Sequence, residues 1–246
     1  HVFGDHCDMD RLMDLAEAYH LYVIEDATES VGGVFSKGRY AGLHTGTVGH
    51  AGVLSFNGNK IITTGGGGMV ISRDAAAIEH IRYLSQQAKN DTLYFVHEEY
   101  GYNYRMTNLQ AALGLAQLEE LGGFLETKRR NYDQYCEKLA DCHYGGILPF
   151  GSGAVSNHWF YSFSLRQPDS ARRDRLIRHM TGRNIQVRPI WKLNHTQTPF
   201  RRFWAMDCGT AQRFYDSVVN IPCSTNLTDA QINRVCQALL AFEAES

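Results

Sequence analysis

The chain has 246 residues, 43% of them hydrophobic and 20% charged, with 24 basic against 26 acidic side chains and a formal net charge of -2. That balance excludes a disordered chain, which combines low hydrophobicity with high net charge, and it lacks the basic excess of a nucleic-acid binder. The length suffices to bury one large core or two smaller ones, and no apolar run approaches the roughly 20 residues that span a bilayer.

In chain order, Met9, Leu12, Met13 and Ala16 recur at the spacing of an amphipathic helix. Residues 21–24 form a short apolar run that ends in Glu25-Asp26 and reads as a buried strand. Segments 53–56 and 69–71 read as two more strands, and Asp74 opens a helix through Ile78, Ile81 and Leu84. Strands alternating with helices predict an α/β layer with a mostly parallel sheet. Thr107 with Gln110 makes a capping box before Leu109, Ala112, Leu113 and Ala116. Helical periodicity, broken at Gly122-Gly123, continues through Tyr132, Tyr135 and Leu139, a long helix or helix pair.

All five prolines lie after residue 148, whereas glycine clusters early. This shift divides the chain into two regions, 1–125 and 126–246. The second reads as α+β. It has an aromatic strand over 159–165, a helix over 171–180, a strand over 185–187 ending at Arg188-Pro189, and a helix opened by the capping box Thr228/Gln231. Trp159, Phe160, Tyr161 and Phe163 read as strand core, His158 as a surface or capping residue, and Lys128-Arg129-Arg130 as a solvated helix face.

The start of the chain has no signal peptide, and the missing initiator Met suggests a fragment. Six scattered cysteines with no C-x-x-C pair read as reduced thiols of a cytoplasmic protein. No H-x-x-x-H pair is present, so no metal site is expected.

Two places could carry chemistry. Asp26 ends a strand, and ligands of open α/β sheets sit beyond the carboxyl ends of strands; the alternative is a helix cap or surface turn. Ser55-Phe56-Asn57-Gly58-Asn59-Lys60 is followed by Gly65 to Gly68. Hydroxyl, amine and glycine backbone together suit an anionic, phosphorylated ligand. The order is not that of a P-loop, whose lysine follows the glycines. A lysine in a glycine-rich, otherwise apolar setting has a depressed pKa and becomes a nucleophile able to form a Schiff base; the alternative is an exposed hairpin. Acid and lysine together are what a pyridoxal phosphate enzyme needs. The acid keeps the ring nitrogen protonated, and the lysine holds the aldehyde as an imine and shuttles protons.

These motifs resemble the DegT/DnrJ/EryC1/StrS family of sugar aminotransferases. The resemblance rests on Glu25-Asp26-Ala27-Thr28-Glu29-Ser30, on Ser55-Phe56 with Lys60 and the glycine run, on residues 101–112, and on Val187-Arg188-Pro189-Ile190-Trp191 with His195. It implies a fold-type-I PLP-dependent transferase: a large α/β domain, N-terminally incomplete, and a smaller α+β C-terminal domain. It also implies a homodimer with shared active sites, with Lys60 as the anchoring and catalytic amine. Asp26 would pair with the pyridine nitrogen, Ser55 with the phosphate, and Glu29 would stand near the ring hydroxyl. Asn103 would reach the phosphate of the neighbouring subunit's cofactor, and Arg188, Trp191 and His195 would line the sugar-nucleotide site. The implied reaction moves an amino group from glutamate to a nucleotide-linked keto sugar. The wording of residues 59–65 is similar to the branch acting on UDP-linked 4-keto-6-deoxy amino sugars. Two alternatives are a sugar dehydratase, whose family members replace the lysine with histidine, and a truncated, non-catalytic binding or scaffold protein. The family's Gly-Thr turn and stacking aromatic ring belong to a front segment absent from this chain.

Overall fold

The computed structural model describes residues 1–91 and 93–244. They form two compact units: residues 1–125 with 150–159, and residues 126–149 with 160 onward. The chain passes between them three times, so the segment before Phe160 belongs to the first unit.

In the first unit, helix α1 (Met9–Ala18) starts at Asp8, whose side chain accepts from the Arg11 N–H. Strand β1 (Ile24–Asp26) runs parallel to β3 (Ala51–Ser55), and β3 pairs antiparallel with β4 (Gly68–Ser72), giving the order β1-β3-β4. A mostly parallel sheet was the expectation. The difference arises because no crossover helix lies between β3 and β4; the loop over 56–67 returns the chain directly, and a direct return makes an antiparallel pair. Strand β2 (Val34–Phe35) pairs with β6 (Ala154–Val155), bringing the late segment onto this unit. Helix α2 (Ala75–Ser85) is capped by Asp74, and α3 (Asn108–Glu119) by the reciprocal Thr107/Gln110 box. The break before α4 (Leu121–Lys138) falls at Glu120, and Gly122-Gly123 lie inside the first turn of α4.

Strand β1 is not the buried strand expected. Ile24 is 66% exposed, Leu21 and Tyr22 are also exposed, and only Glu25 points inward. A strand with one paired neighbour alternates its side chains between faces, so the interior position falls to the acid.

In the second unit the sheet order is β5-β7-β9-β8, all antiparallel: β5 (Gly145–Ile147), β7 (Tyr161–Leu165), β8 (Arg188–Pro189) and β9 (Val218–Ile221). Ile185 and Val187 are buried, but only Arg188-Pro189 pair with β9. Helices α5 (Ser170–Gly182) and α7 (Asp229–Ala244) cover the sheet through Leu176, Met180, Ile232 and Leu239, which join Tyr161, Phe163, Val219 and Ile221 in one core. Helix α6 (Gly209–Ser217) leads into β9. The basic run on α4 is divided: Arg129 is solvated, whereas Lys128 is 4% exposed and donates to the Cys223 carbonyl at 2.6 Å. Among the described residues no helix is long and apolar enough to cross a membrane, and no group of acidic, His or Cys side chains could hold a metal ion.

Candidate active site

The site is built on the carboxyl ends of the parallel pair β1 and β3. Glu25, the inward residue of β1, anchors the scaffold. Its Oε1 accepts from the N–H groups of Val48 (2.7 Å) and Gly49 (2.5 Å), and its Oε2 accepts from Gly46 N–H (2.8 Å) and faces His1 Nε2 (2.9 Å). Burial alone would raise this carboxyl; the His1 ring and the N–H groups of Gly49, Gly46 and Val48 outweigh that and hold it below its usual range. The loop can approach because Gly52 has no side chain: a Cβ there would lie 1.9 Å from the Gly46 carbonyl oxygen.

The next residue, Asp26, faces the other way. Its Oδ1 accepts from the Thr28 N–H at 3.1 Å and the Thr28 hydroxyl at 2.6 Å. The acid is therefore part of a surface turn and also fixed in orientation by it. Glu29, one turn further on, accepts the Phe3 N–H on Oε2 at 2.7 Å.

Lys60 is presented by the loop that leaves β3. Ser55 ends the strand, and its hydroxyl accepts the Asn57 N–H at 3.3 Å. The Lys60 N–H then closes a turn onto the Asn57 carbonyl at 3.0 Å. The glycine run completes the loop. The Phe56 N–H bonds the Gly67 carbonyl and the Thr64 N–H bonds the Phe56 carbonyl. Gly65 and Gly67 hold φ of +77° and +117°, which favour glycine. Helix α3 clamps the run from outside: Gln110, besides capping its own helix, donates to the Gly66 carbonyl at 3.2 Å. Gly114 lets α3 approach Thr64, whose Cγ2 would stand 2.8 Å from a Cβ there.

The loops meet at the Lys60 amine. Nζ lies 4.0 Å from Glu29 Oε1 and 4.2 Å from the centre of the Trp159 ring, and the side chain is 12% exposed. Burial pushes the amine below its ordinary value, and the Glu29 and Asp26 carboxylates pull back against it. Lys60 and Asp26 thus share one electrostatic environment, although they are 34 positions apart in the chain. An amine so placed is closer to its neutral, nucleophilic form than a surface lysine.

The remaining candidates lie on other elements. Asn103 is exposed in the segment before α3, where its backbone bridges Gln86. Arg188, Trp191 and His195 belong to the second unit. Arg188 is on β8 opposite Asn220, Trp191 is half-exposed with its ring 6.1 Å from Phe160, and His195 is in a short 3-10 turn. Sequence reasoning missed Trp159, read as strand core, and Asn157, whose amide donates to the Glu29 and Val31 carbonyls at 3.0 and 2.9 Å. The alternating buried positions 159, 161, 163 and 165 look like one strand face, which conceals that the first of them packs beneath a lysine.

The profile of the DegT/DnrJ/EryC1/StrS aminotransferase family matches residues 1–240. The chain belongs to this family. Aminotransferases of the family use pyridoxal phosphate. EpsN of Bacillus subtilis (strain 168) is 38% identical over 245 residues, which are 97% of this chain and 61% of EpsN. The GDP-perosamine synthase of Caulobacter vibrioides is 35% identical over 242 residues, 97% of this chain and 63% of the synthase. The crystal structure of the aminotransferase TlmJ from Streptoalloteichus hindustanus superposes with a TM-score of 0.90 at 23% identity, covering 100% of this chain and 65% of TlmJ. The fold is therefore that of the fold-type-I sugar aminotransferases, and the chain spans less than two thirds of the length of these relatives.

Proposed function

We propose that the protein is a pyridoxal phosphate-dependent aminotransferase that moves an amino group from glutamate to the keto group of a nucleotide-linked sugar. The observation that carries this reading is the Lys60 amine, depressed by burial and within electrostatic reach of a strand-end carboxylate, in a chain of this family. The residues suit the cofactor: an enclosed amine, an oriented acid in Asp26, and a hydroxyl in Ser55 at the end of the strand leading to the amine.

Bound pyridoxal phosphate supplies an electron sink and a carrier for the amino group. In this account Lys60 Nζ holds a proton and gives it back, serving as base and acid from one position. The Asp26 carboxylate stabilises positive charge on a heterocyclic nitrogen, and Ser55 donates to phosphate. Glu29 sets the charge beside Nζ. Asn103 serves the phosphate site of a second copy in a homodimer, consistent with the exposed apolar surface of Leu109, Leu113 and Leu118 on α3. Arg188, Trp191 and His195 contact the sugar nucleotide. The same proposal places the enzyme in the cytoplasm. Lysine rather than histidine at position 60 favours transamination over dehydration.

The finer proposal for the acceptor is a UDP-linked 4-keto-6-deoxy amino sugar. The 35% identity to a GDP-perosamine synthase favours a GDP-linked acceptor as a second reading. Incubating the full chain with glutamate, pyridoxal phosphate and each keto-sugar nucleotide should give an aminated sugar and 2-oxoglutarate. A product that has lost a hydroxyl instead, or no product with either nucleotide, counts against the reading.

A further inference from the structure

Trp159 is buried, 3% exposed, and its two ends make different contacts. The indole N–H donates to the Asn59 carbonyl at 2.8 Å, which fixes the peptide immediately before Lys60. The ring face lies 4.2 Å from Lys60 Nζ. The backbone N–H of Trp159 donates to Asn157 Oδ1 at 3.0 Å, and the Asn157 amide holds the Glu29 and Val31 carbonyls. One three-residue segment therefore ties together the loop that carries Lys60 and the loop that carries Glu29, about a hundred positions upstream or more.

We propose that Trp159 is a positioning residue for Lys60: its ring face gives the ammonium a defined seat, and its N–H fixes the backbone from which the side chain springs. The role rests on the reading of Lys60 as the reactive amine. A cation over an indole face is attracted by the negative quadrupole of the ring, more strongly for Trp than for Tyr or Phe and more strongly where water is excluded. Lys60 meets both conditions. An amine that serves as nucleophile and then as proton carrier from one position benefits from a resting place that does not wander. Glu29 and Asp26 supply charge there but no covering surface, and Trp159 supplies the surface.

The test is the titration of the Lys60 amine in the full chain without added cofactor. It is read by competitive acylation across pH, with mass spectrometry of the Lys60 peptide. Trp159→Leu keeps apolar bulk and removes the π face; Trp159→Phe keeps a weaker face. In the Leu variant, acylation of Lys60 at fixed pH should rise by about two- to thirty-fold, the loss of one cation–π contact, with the Phe variant between it and the parent. An unchanged or less reactive Lys60 in the Leu variant overturns the proposal. A second measurement leaves Trp159 in place. With 5-fluorotryptophan incorporated, the Trp159 fluorine resonance should follow the Lys60 titration and lose that step in Lys60→Met. A resonance that ignores the titration overturns the proposal even if the Leu variant fails to fold. Failure of the aminotransferase reading shows differently, as a parent chain that gives no absorption band with pyridoxal phosphate while the amine titration stands.

Discussion

Replacing Glu25 by Gln should unsettle the first unit, although no surface changes. Of the two carboxylate oxygens, Oε1 serves Val48 and Gly49 and Oε2 serves Gly46 and His1. A glutamine can keep its carbonyl on the Oε1 side only. Its NH2 group then faces the Gly46 N–H, a donor against a donor. Leaving that N–H buried and unpaired costs about 1–3 kcal/mol. The two remaining bonds fall from charge-assisted to neutral, each losing about 1 kcal/mol. These terms come to about 3–5 kcal/mol, the range for breaking a buried pair, and the lost partner of His1 acts in the same direction. Urea unfolding of the parent and of Glu25→Gln measures it. Glu17→Gln, on the exposed face of α1, is the control and should stay within about 0.5 kcal/mol. A loss below about 1 kcal/mol at Glu25 would refute the assignment of the three N–H groups to the carboxylate. The pair also sets a pH window. Glu25 is held below its ordinary value, so its contribution is complete above the unfolded carboxylate range and is lost as pH falls through the lower folded value. For His1, burial acts to lower the imidazole, but the Cys7 side chain and Glu25 outweigh it and push it up to about 9. Its contribution is complete below the ordinary value near 6.5 and is lost as pH rises through about 9. Glu25→Gln should flatten both limbs.

Two further substitutions probe close packing. Lys128→Ala removes a buried stem and orphans the Cys223 carbonyl, and should cost about 2–4 kcal/mol in urea unfolding, whereas Arg129→Ala should change stability by no more than about 0.5 kcal/mol. Gly52→Ala drives a methyl group into the Gly46 carbonyl; with backbone on both sides of the clash, a loss of at least about 3 kcal/mol is expected, and a Gly52→Ala chain as stable as the parent would contradict the described approach of β3 to the 46–49 loop.

The helices were legible because their starts are written in local chemistry: Asp74, Thr107 with Gln110, and Thr228 with Gln231 each cap the helix they announce. Strand burial was less legible. The apolar run at 21–24 suggests burial on both faces, yet β1 has only β3 as a neighbour, and Glu25 takes the inward position. A basic triplet suggests a solvated face, but helical rotation turns Lys128 inward and leaves Arg129 outside. In the site, the types and order of Asp26, Ser55 and Lys60 suggest a common ligand from sequence alone. Trp159 could not be read the same way. Its role depends on β6 pairing with β2, which brings residues 150–159 back onto the first unit, and no local pattern near Trp159 encodes that long-range pairing.

The Lys60 amine is tested most directly by the visible absorption of the full chain titrated with pyridoxal phosphate, compared with Lys60→Ala. The parent should develop a saturable band that the alanine variant lacks. The same band in Lys60→Ala, or none in the parent, would contradict the account.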